Sequence, residues 1–362
     1  MQKSNPNKIL IMKFRNIGDV LLVTPLLSNL KLHYPNAIID IALNNGTQEM
    51  VTLNPHINEA IIYNREEIKS FNILKKIWAE IKFALYIRSG KYDIVINTTK
   101  GDRGAQLALI SGAKIKIGYQ NKKNWFLKNV FTHQLPAQKF RHTLETNLDP
   151  LRALNLEIKN KKVEIFWTDD DENKVNSLLK NEDFIHIHPV SRWMFKCIDD
   201  KTMSSIIDFC KIELKKEVVL TAAPIKQEID KLNSILKLCK SQPMNLAGKL
   251  TLKQTAALNK KAKFFIGVDT AIMHISAAND IPVLAFFGPS GADHWGPWDN
   301  ESLTSGYTTR KGNRSMGRHR VIQESWDCVP CGKDGCNGSK ISDCLMHLDM
   351  ETIIKNIRQM NI

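Results

Sequence analysis

The chain has no long apolar run. No segment of its 362 residues approaches the roughly 20 consecutive apolar residues of a membrane-spanning helix. The apolar stretch Lys8 to Phe14 is too short for a secretion signal, and it runs into Arg15 where a small-residue cleavage site belongs. The expectation is a cytoplasmic protein, free to lie against a membrane surface. Cysteine is sparse and odd in number: there are seven, and Cys197, Cys210 and Cys239 are scattered. This argues against a secreted disulfide scaffold. Acid is short relative to base. With 37 Asp and Glu against 51 Lys and Arg, the formal net charge is +14. Such a surface attracts polyanions: nucleic acid, anionic headgroups or a phosphorylated substrate. No nucleic-acid reader motif accompanies the charge, so no nucleic-acid partner is expected. Internal repeats and low-complexity tracts are also absent.

What is present is alternation, in a chain long enough for two domains. Strand-like runs occur at Ile9–Phe14, Ile38–Leu43, Ala60–Tyr63, Asp93–Asn97 and Ile115–Tyr119. A second series follows at Phe184–His188, Glu217–Ala222, Met244–Leu246, Lys263–Val268 and Val283–Phe287. Helix-like segments lie between them, the longest from about Glu66 to Ser89, with others at Asp199–Lys215, Ile225–Lys240 and Leu252–Lys261. Strands alternating with helices make parallel sheets covered on both faces. Two series predict two doubly wound α/β domains, residues 1–165 and 166–345. A closing helix within 346–362, about Asp349 to Gln359, is expected to pack back on the first domain. Residues 299–343, rich in Gly, Ser, Asn and charge, are expected to be irregular. Ligands of such sheets bind beyond the carboxyl ends of the strands, so two facing domains would share a central cleft.

Three segments at predicted strand ends carry chemistry. The first is Lys13-Phe14-Arg15-Asn16-Ile17-Gly18-Asp19-Val20, followed by Thr24-Pro25. Gly18 permits a tight turn or a close approach. Asp19 is either a helix cap or a general base. Pro25 predicts a kink or a late helix start. The second is His188-Pro189-Val190-Ser191-Arg192-Trp193-Met194-Phe195-Lys196. Its hydroxyl, guanidinium and ammonium suit a diphosphate. A solvated basic loop has the same composition. The third runs from Gly267 through Asp269, Thr270 and Ala271 to His274 and Ala278, a strand–turn–helix. Such a turn aims backbone N–H groups at an anion, and His274 lies one helical turn from Thr270 on the same face.

Two further features are less directed. Cys328, Cys331, Cys336 and Cys344 cluster in a loop-rich span. They fit one tetrahedral zinc, plain thiols or disulfides formed after lysis, and the spacing does not choose. In the long helix, Ile73, Leu74, Ile77, Trp78, Ile81 and Leu85 recur at helical spacing among lysines. The favoured reading is a core-facing stripe with a solvated basic side. The sharper one is a membrane-facing basic patch, to which Lys122, Lys123, Trp125, Phe126 and Lys128 add an aromatic–cationic cluster.

Taken together, Lys13 to Pro25, His188 to Lys196, Ala247-Gly248-Lys249 and Gly267 to Ala278 resemble the bacterial lipopolysaccharide heptosyltransferases of glycosyltransferase family nine. The resemblance spans nearly the whole chain, and Trp326 to Leu345 resembles the heptosyltransferase III subgroup. It implies the GT-B fold: two Rossmann-like domains around a cleft, the first for a lipopolysaccharide acceptor and the second for an ADP-heptose donor. The implied reaction is inverting transfer of L-glycero-D-manno-heptose to the inner core as the branching third heptose, on the inner face of the inner membrane. The implied base is Asp19, with Arg15, Asn16 and Gly18 on the acceptor side. The implied donor contacts are Ser191, Arg192, Lys196, Leu250, Asp269, Thr270, Ala271 and His274. No cofactor is required by the chemistry. Two departures stand out: Ala271 occupies a position where the family usually has Gly, and Ile225 falls near the expected ribose carboxylate, leaving Glu228 as the nearest acid. The rival readings are a nucleotide-sugar epimerase of the same fold and a non-catalytic basic protein that binds a nucleotide-sugar or nucleic acid.

Overall fold

Runs such as Lys8–Lys13 and Phe264–Val268 are apolar on both pleat faces, which an open, half-solvated sheet cannot use. In the computed structural model, which describes residues 5–121, 124–137, 140–180 and 183–360, these runs form the middle of parallel sheets. The chain divides into two units, residues 1–139 with 143–166, and residues 140–142 with 167–362.

The first unit contains β1 (Lys8–Lys13), β2 (Ile38–Asn44), β3 (Glu59–Tyr63), β4 (Ile94–Asn97), β5 (Ile115–Tyr119) and β6 (His133–Leu135). They pair in parallel in the order β3-β2-β1-β4-β5-β6. The chain starts in the middle, winds outward to β3, then returns to lay β4 on the other side of β1. The β1/β4 boundary is therefore the topological switch point, where the loops diverge and leave a crevice. Leu10, Met12, Val95, Ala105 and Ile87 form part of the buried core between this sheet and its helices.

The second unit contains β7 (Phe184–His188), β8 (Glu217–Leu220), β9 (Met244–Asn245), β10 (Phe264–Val268), β11 (Val283–Phe287), β12 (Arg314–Met316) and β13 (His319–Gln323). Their order is β12-β13-β11-β10-β7-β8-β9, parallel except for the β12/β13 hairpin. Here the switch point falls between β7 and β10. Gly267 permits that pairing: a Cβ on it would sit 2.8 Å from the His188 carbonyl oxygen.

The structure refines several expectations. The 299–343 span holds β12 and β13, and β13 extends the sheet beside β11. Its Val321 and Ile322 are buried, a pattern masked in the sequence by the polar residues around them. The long helix is two, Arg65–Ser70 and Ile73–Ser89, because Phe71 is extended and Asn72 caps the second by accepting from the Lys75 N–H. The closing helix, Met350–Arg358, buries Ile353 and Ile357 fully in one core with Val218, Ile206 and Phe286 of the second unit. The apolar stripe of the Ile73–Ser89 helix is a correction of its own. Its Phe83, Ala84 and Ile87 face the core, whereas Ile73, Leu74, Ile77, Trp78, Ile81 and Leu85 are all exposed. The core-facing reading of that stripe is therefore wrong.

Candidate active site

At the first switch point, β1 ends in Lys13, and a five-residue helix, Ile17–Leu21, begins after Asn16. Asp19 is the third residue of that helix and Asn16 is its N-cap, so the capping account of Asp19 fails. Its carboxylate still gains from the positive end of the helix. Asp19 is 8% exposed. Its neighbour is the buried Lys13, whose Nζ is 3.9 Å from Asp19 Oδ1 and donates to Asn147 Oδ1 at 2.9 Å. Burial pulls Lys13 down to about 8, against the attraction of Asp19. Asn147 also donates to the Leu22 carbonyl, tying the short helix to this corner. Gly18 has a helical backbone here, so no left-handed turn calls for it. Arg15 and Asn16 are exposed on the loop. A new helix starts at Thr24 with Pro25 in its first turn, where the missing N–H costs nothing.

At the second switch point, the loop after β7 and the turn after β10 leave adjacent strands. Lys196 donates to Asp269 Oδ2 at 2.6 Å. Asp269 is buried. Burial alone would raise its carboxyl, but the Lys196 ammonium outweighs this and holds it below the usual range, helped by a hydrogen bond from Ser290. Thr270 is the N-cap of the Ala271–Ala278 helix, yet its hydroxyl makes no capping bond and is a buried oxygen with no partner. His274, on the same face, has an unpartnered Nδ1. Its burial depresses the imidazole to about 4, with Asp269 opposing, so the ring is neutral near pH 7. Helix N–H groups, an ammonium, a hydroxyl and a neutral imidazole thus converge with spare hydrogen-bonding capacity. That set suits a ligand carrying phosphates and hydroxyls.

The flanking residues are placed differently. Ser191 is buried and its Oγ accepts from the Trp193 N–H. Arg192 is exposed and lies over the Trp193 ring, 4.9 Å from its centroid. Leu250 is half-buried against the core that includes Leu246 and Ala257, one residue before the Thr251–Gln254 capping box. Ala271 is half-buried at the first turn of its helix. Glu228 accepts from the Ala223 N–H at 2.8 Å and from the Arg192 backbone. It braces two loops, which occupies the acid nearest the expected ribose position.

Sequence reasoning missed the supporting groups. Lys13 had a local signal, a charge closing an apolar strand. Asn147 and Ser290 had none. Nor did the buried chain beneath β7. There Asn259 Nδ2 donates to Ser276 Oγ at 2.7 Å and lies 3.0 Å from His186 Nδ1. Thr221 Oγ1 then bridges His186 Nε2 at 2.7 Å and His188 Nδ1 at 2.9 Å. Both imidazoles are neutral, pulled to about 3 and about 4, mainly by burial. This has a consequence for stability. His186, His188, His274 and His319 all have folded pKa values below 6.5, so as pH falls from 6.5 toward 4 the unfolded chain takes up protons that the folded one rejects. Stability is full above about pH 6.5 and is lost below it. Melting curves should show the Tm falling through this window, and a flat Tm between pH 6.5 and 4.5 would contradict the buried neutral rings.

The four clustered cysteines do not form the zinc site. Among the described residues, no three His, Cys, Asp or Glu side chains are grouped to hold a metal ion. Cys328 and Cys331 are exposed, Cys336 is half-buried and Cys344 is buried, all as free thiols. Burial first, then the nearby Cys336, Cys331 and Cys328, push Cys344 up to about 12. Of the aromatic–cationic cluster, Lys122 and Lys123 lie outside the described residues.

A pair of Rossmann-type sheets, the second with a strand–turn–helix at its switch point, is the frame of the GT-B glycosyltransferases. Solved structures share it. The glycosyl transferase family 9 protein of Veillonella parvula superposes with a TM-score of 0.77 at 20% identity, covering 98% of this chain and 97% of that one. The Escherichia coli ADP-heptose LPS heptosyltransferase II gives 0.71 at 19% identity, covering 98% of each chain. By sequence, the chain is 32% identical over 293 residues to lipopolysaccharide heptosyltransferase 3 of Escherichia coli, covering 79% of this chain and 85% of that protein. The family model for glycosyltransferase family 9 (heptosyltransferase) matches residues 81–321. The chain belongs to glycosyltransferase family 9 and is a glycosyltransferase.

Proposed function

We propose that this enzyme transfers L-glycero-D-manno-heptose from ADP-heptose to the inner core of lipopolysaccharide, with inversion, as the branching third heptose on the second. The observation that carries the donor side is the Lys196–Asp269 pair beside the unpartnered Thr270 hydroxyl and His274 imidazole. In this scheme the acceptor hydroxyl oxygen bonds to the anomeric carbon as the bond from that carbon to the diphosphate breaks. The sugar passes through an oxocarbenium-like state. The departing ADP carries off the bonding electron pair. Its new charge is met by Lys196, Arg192 and the helix N-terminus at Thr270. The proton leaves the acceptor hydroxyl late and goes to Asp19. Ser191 holds a phosphate oxygen, Leu250 meets the base through its backbone, and Asp269 and His274 bond the sugar hydroxyls. Ala271 gives a looser backbone approach than Gly would. Arg15, Asn16 and Gly18 border the acceptor. No cofactor enters the scheme.

No described helix is long and apolar enough to cross a membrane. A lipid-anchored acceptor therefore has to be met at a surface, which we place at the cytoplasmic face of the inner membrane. The test is direct. Purified enzyme, ADP-heptose and a core oligosaccharide ending in the second heptose are incubated, and the products are weighed by mass spectrometry. The expected result is one added heptose and one equivalent of ADP. An acceptor left unchanged, with ADP-heptose altered alone, would instead favour the epimerase reading.

A further inference from the structure

We infer that the exposed face of the Ile73–Ser89 helix is a docking surface for an anionic lipid bilayer. Ile73, Leu74, Ile77, Trp78, Ile81 and Leu85 lie on one side of this helix at i, i+1, i+4, i+5, i+8 and i+12, and each is between 51% and 80% exposed. The other side, with Phe83, Ala84 and Ile87, already holds the helix to the sheet. The exposed stripe is thus not needed for folding. A contiguous apolar strip of this size, rimmed by charge, marks an interaction site.

The charges choose the occupant. Lys75, Lys76 and Lys82 are exposed on the same helix and form no ion pair among the described residues. Lys82 lies over the Trp78 ring, 5.3 Å from its centroid, so cation and apolar surface are one patch. The helix has a single acid, Glu80, and it is used inward: it accepts from the Tyr63 hydroxyl at 2.5 Å and from Arg103 at 2.8 Å. Lys75 and Lys82 flank the apolar stripe, while Lys76 shares the side of Glu80, Phe83 and Ile87; the stripe and its flank therefore offer apolar side chains and positive charge with no acid among them. A second copy docked face to face would set lysines against lysines. An interfacial bilayer takes the apolar stripe between its headgroups and pairs the lysines with lipid phosphates.

A second aromatic point is joined to this helix through a shared neighbour. The helix Asp102–Ile110 packs on the Ile73–Ser89 helix and also on the short turn Trp125–Leu127. Leu127 is buried and anchors that turn. Trp125 and Phe126 project with about three-quarters of their surface exposed, their ring centroids 3.8 Å apart, and Lys128 is exposed beside them. Aromatic rings beside ammonium groups belong at the headgroup level.

This inference deepens the transfer reading by naming the surface where the acceptor is met, and its test separates the two. Full-length enzyme is sedimented with vesicles of phosphatidylglycerol and phosphatidylethanolamine, and with vesicles of phosphatidylcholine alone. One variant carries L74S, I77S and W78S, and another carries K75E, K76E and K82E. All six positions are exposed, so circular dichroism and transfer to the water-soluble core oligosaccharide should match the wild type. The wild type should partition to anionic vesicles at least tenfold better than to neutral ones, and each variant should lose at least tenfold on the anionic vesicles. Binding equal to wild type in both variants, or a wild type that ignores anionic vesicles, overturns the proposal. So does a wild-type dimer in sedimentation velocity that the serine variant dissociates without any change in vesicle binding. If the soluble acceptor is not extended at all, the transfer reading fails while the vesicle result stands alone.

Discussion

Replacing Asp19 with Asn should lower kcat for heptosyl transfer by about 10²–10⁴-fold, the ordinary contribution of a positioned general base. Affinity for ADP-heptose should stay at its wild-type value, because the groups proposed to hold the donor lie in the other structural unit, at the β7/β10 switch point. The asparagine keeps the shape of the side chain and the start of the short helix, so a loss of turnover reports chemistry. Asp19 has the position for the role. It lies beyond the carboxyl end of β1 in a helix that begins there, and is reached by little solvent. The Lys13 ammonium lies 3.9 Å from its carboxylate. The measurement is a pair of steady-state kinetics and donor calorimetry. Turnover within threefold of wild type would remove Asp19 from the mechanism.

The second large effect is expected at Lys196. Lys196→Ala should reduce kcat/KM for ADP-heptose by about 10²–10³-fold, as removal of one group aimed at developing charge does elsewhere. It should also destabilise the fold, because Asp269, 6% exposed, keeps its charge and loses its partner. Breaking a buried pair costs about 3–5 kcal/mol, and the side chain of Lys196 is 21% exposed, so the loss here should lie below that range. The double variant K196M/D269N separates the two effects. It removes both charges at similar volume and should recover most of the stability while leaving turnover low. Recovery of activity together with stability would mean that the pair is a structural brace and that the ammonium has no part in the reaction.

The local elements that carry the candidate residues are legible in the sequence. The strand–turn–helix at β10 is written in local chemistry: an apolar run ending in Gly267 and Val268, then Asp269-Thr270 opening a helix. The same holds for the loop after β1. Residue partnership was not legible. Lys196 and Asp269 are 73 positions apart, and Lys13 and Asn147 are 134 apart. Nothing in the local sequence says that one accepts from the other. The strand order does, since it makes β7 and β10 neighbours and brings their two loops to one crevice.

The Ile73–Ser89 helix marks the boundary between the two kinds of knowledge most sharply. Helical spacing establishes that Ile73, Leu74, Ile77, Trp78, Ile81 and Leu85 share a face. It does not say which way that face turns. The shorter set, Phe83, Ala84 and Ile87, won the core because it meets the side chains above β1 and β4, and the larger stripe was left outside. The four cysteines are a parallel case: their spacing leaves zinc, thiols and disulfides open, and among the described residues they are not grouped to hold a metal ion. By itself, then, the sequence determined the two alternating series, the turns that end their inner strands and the residue types offered at those turns, because these follow from periodicity and backbone preference over a few neighbours. The tertiary structure alone decided which charges are paired, which histidines are held neutral and which face of a helix meets solvent. Those depend on burial and on distances between residues far apart in the chain.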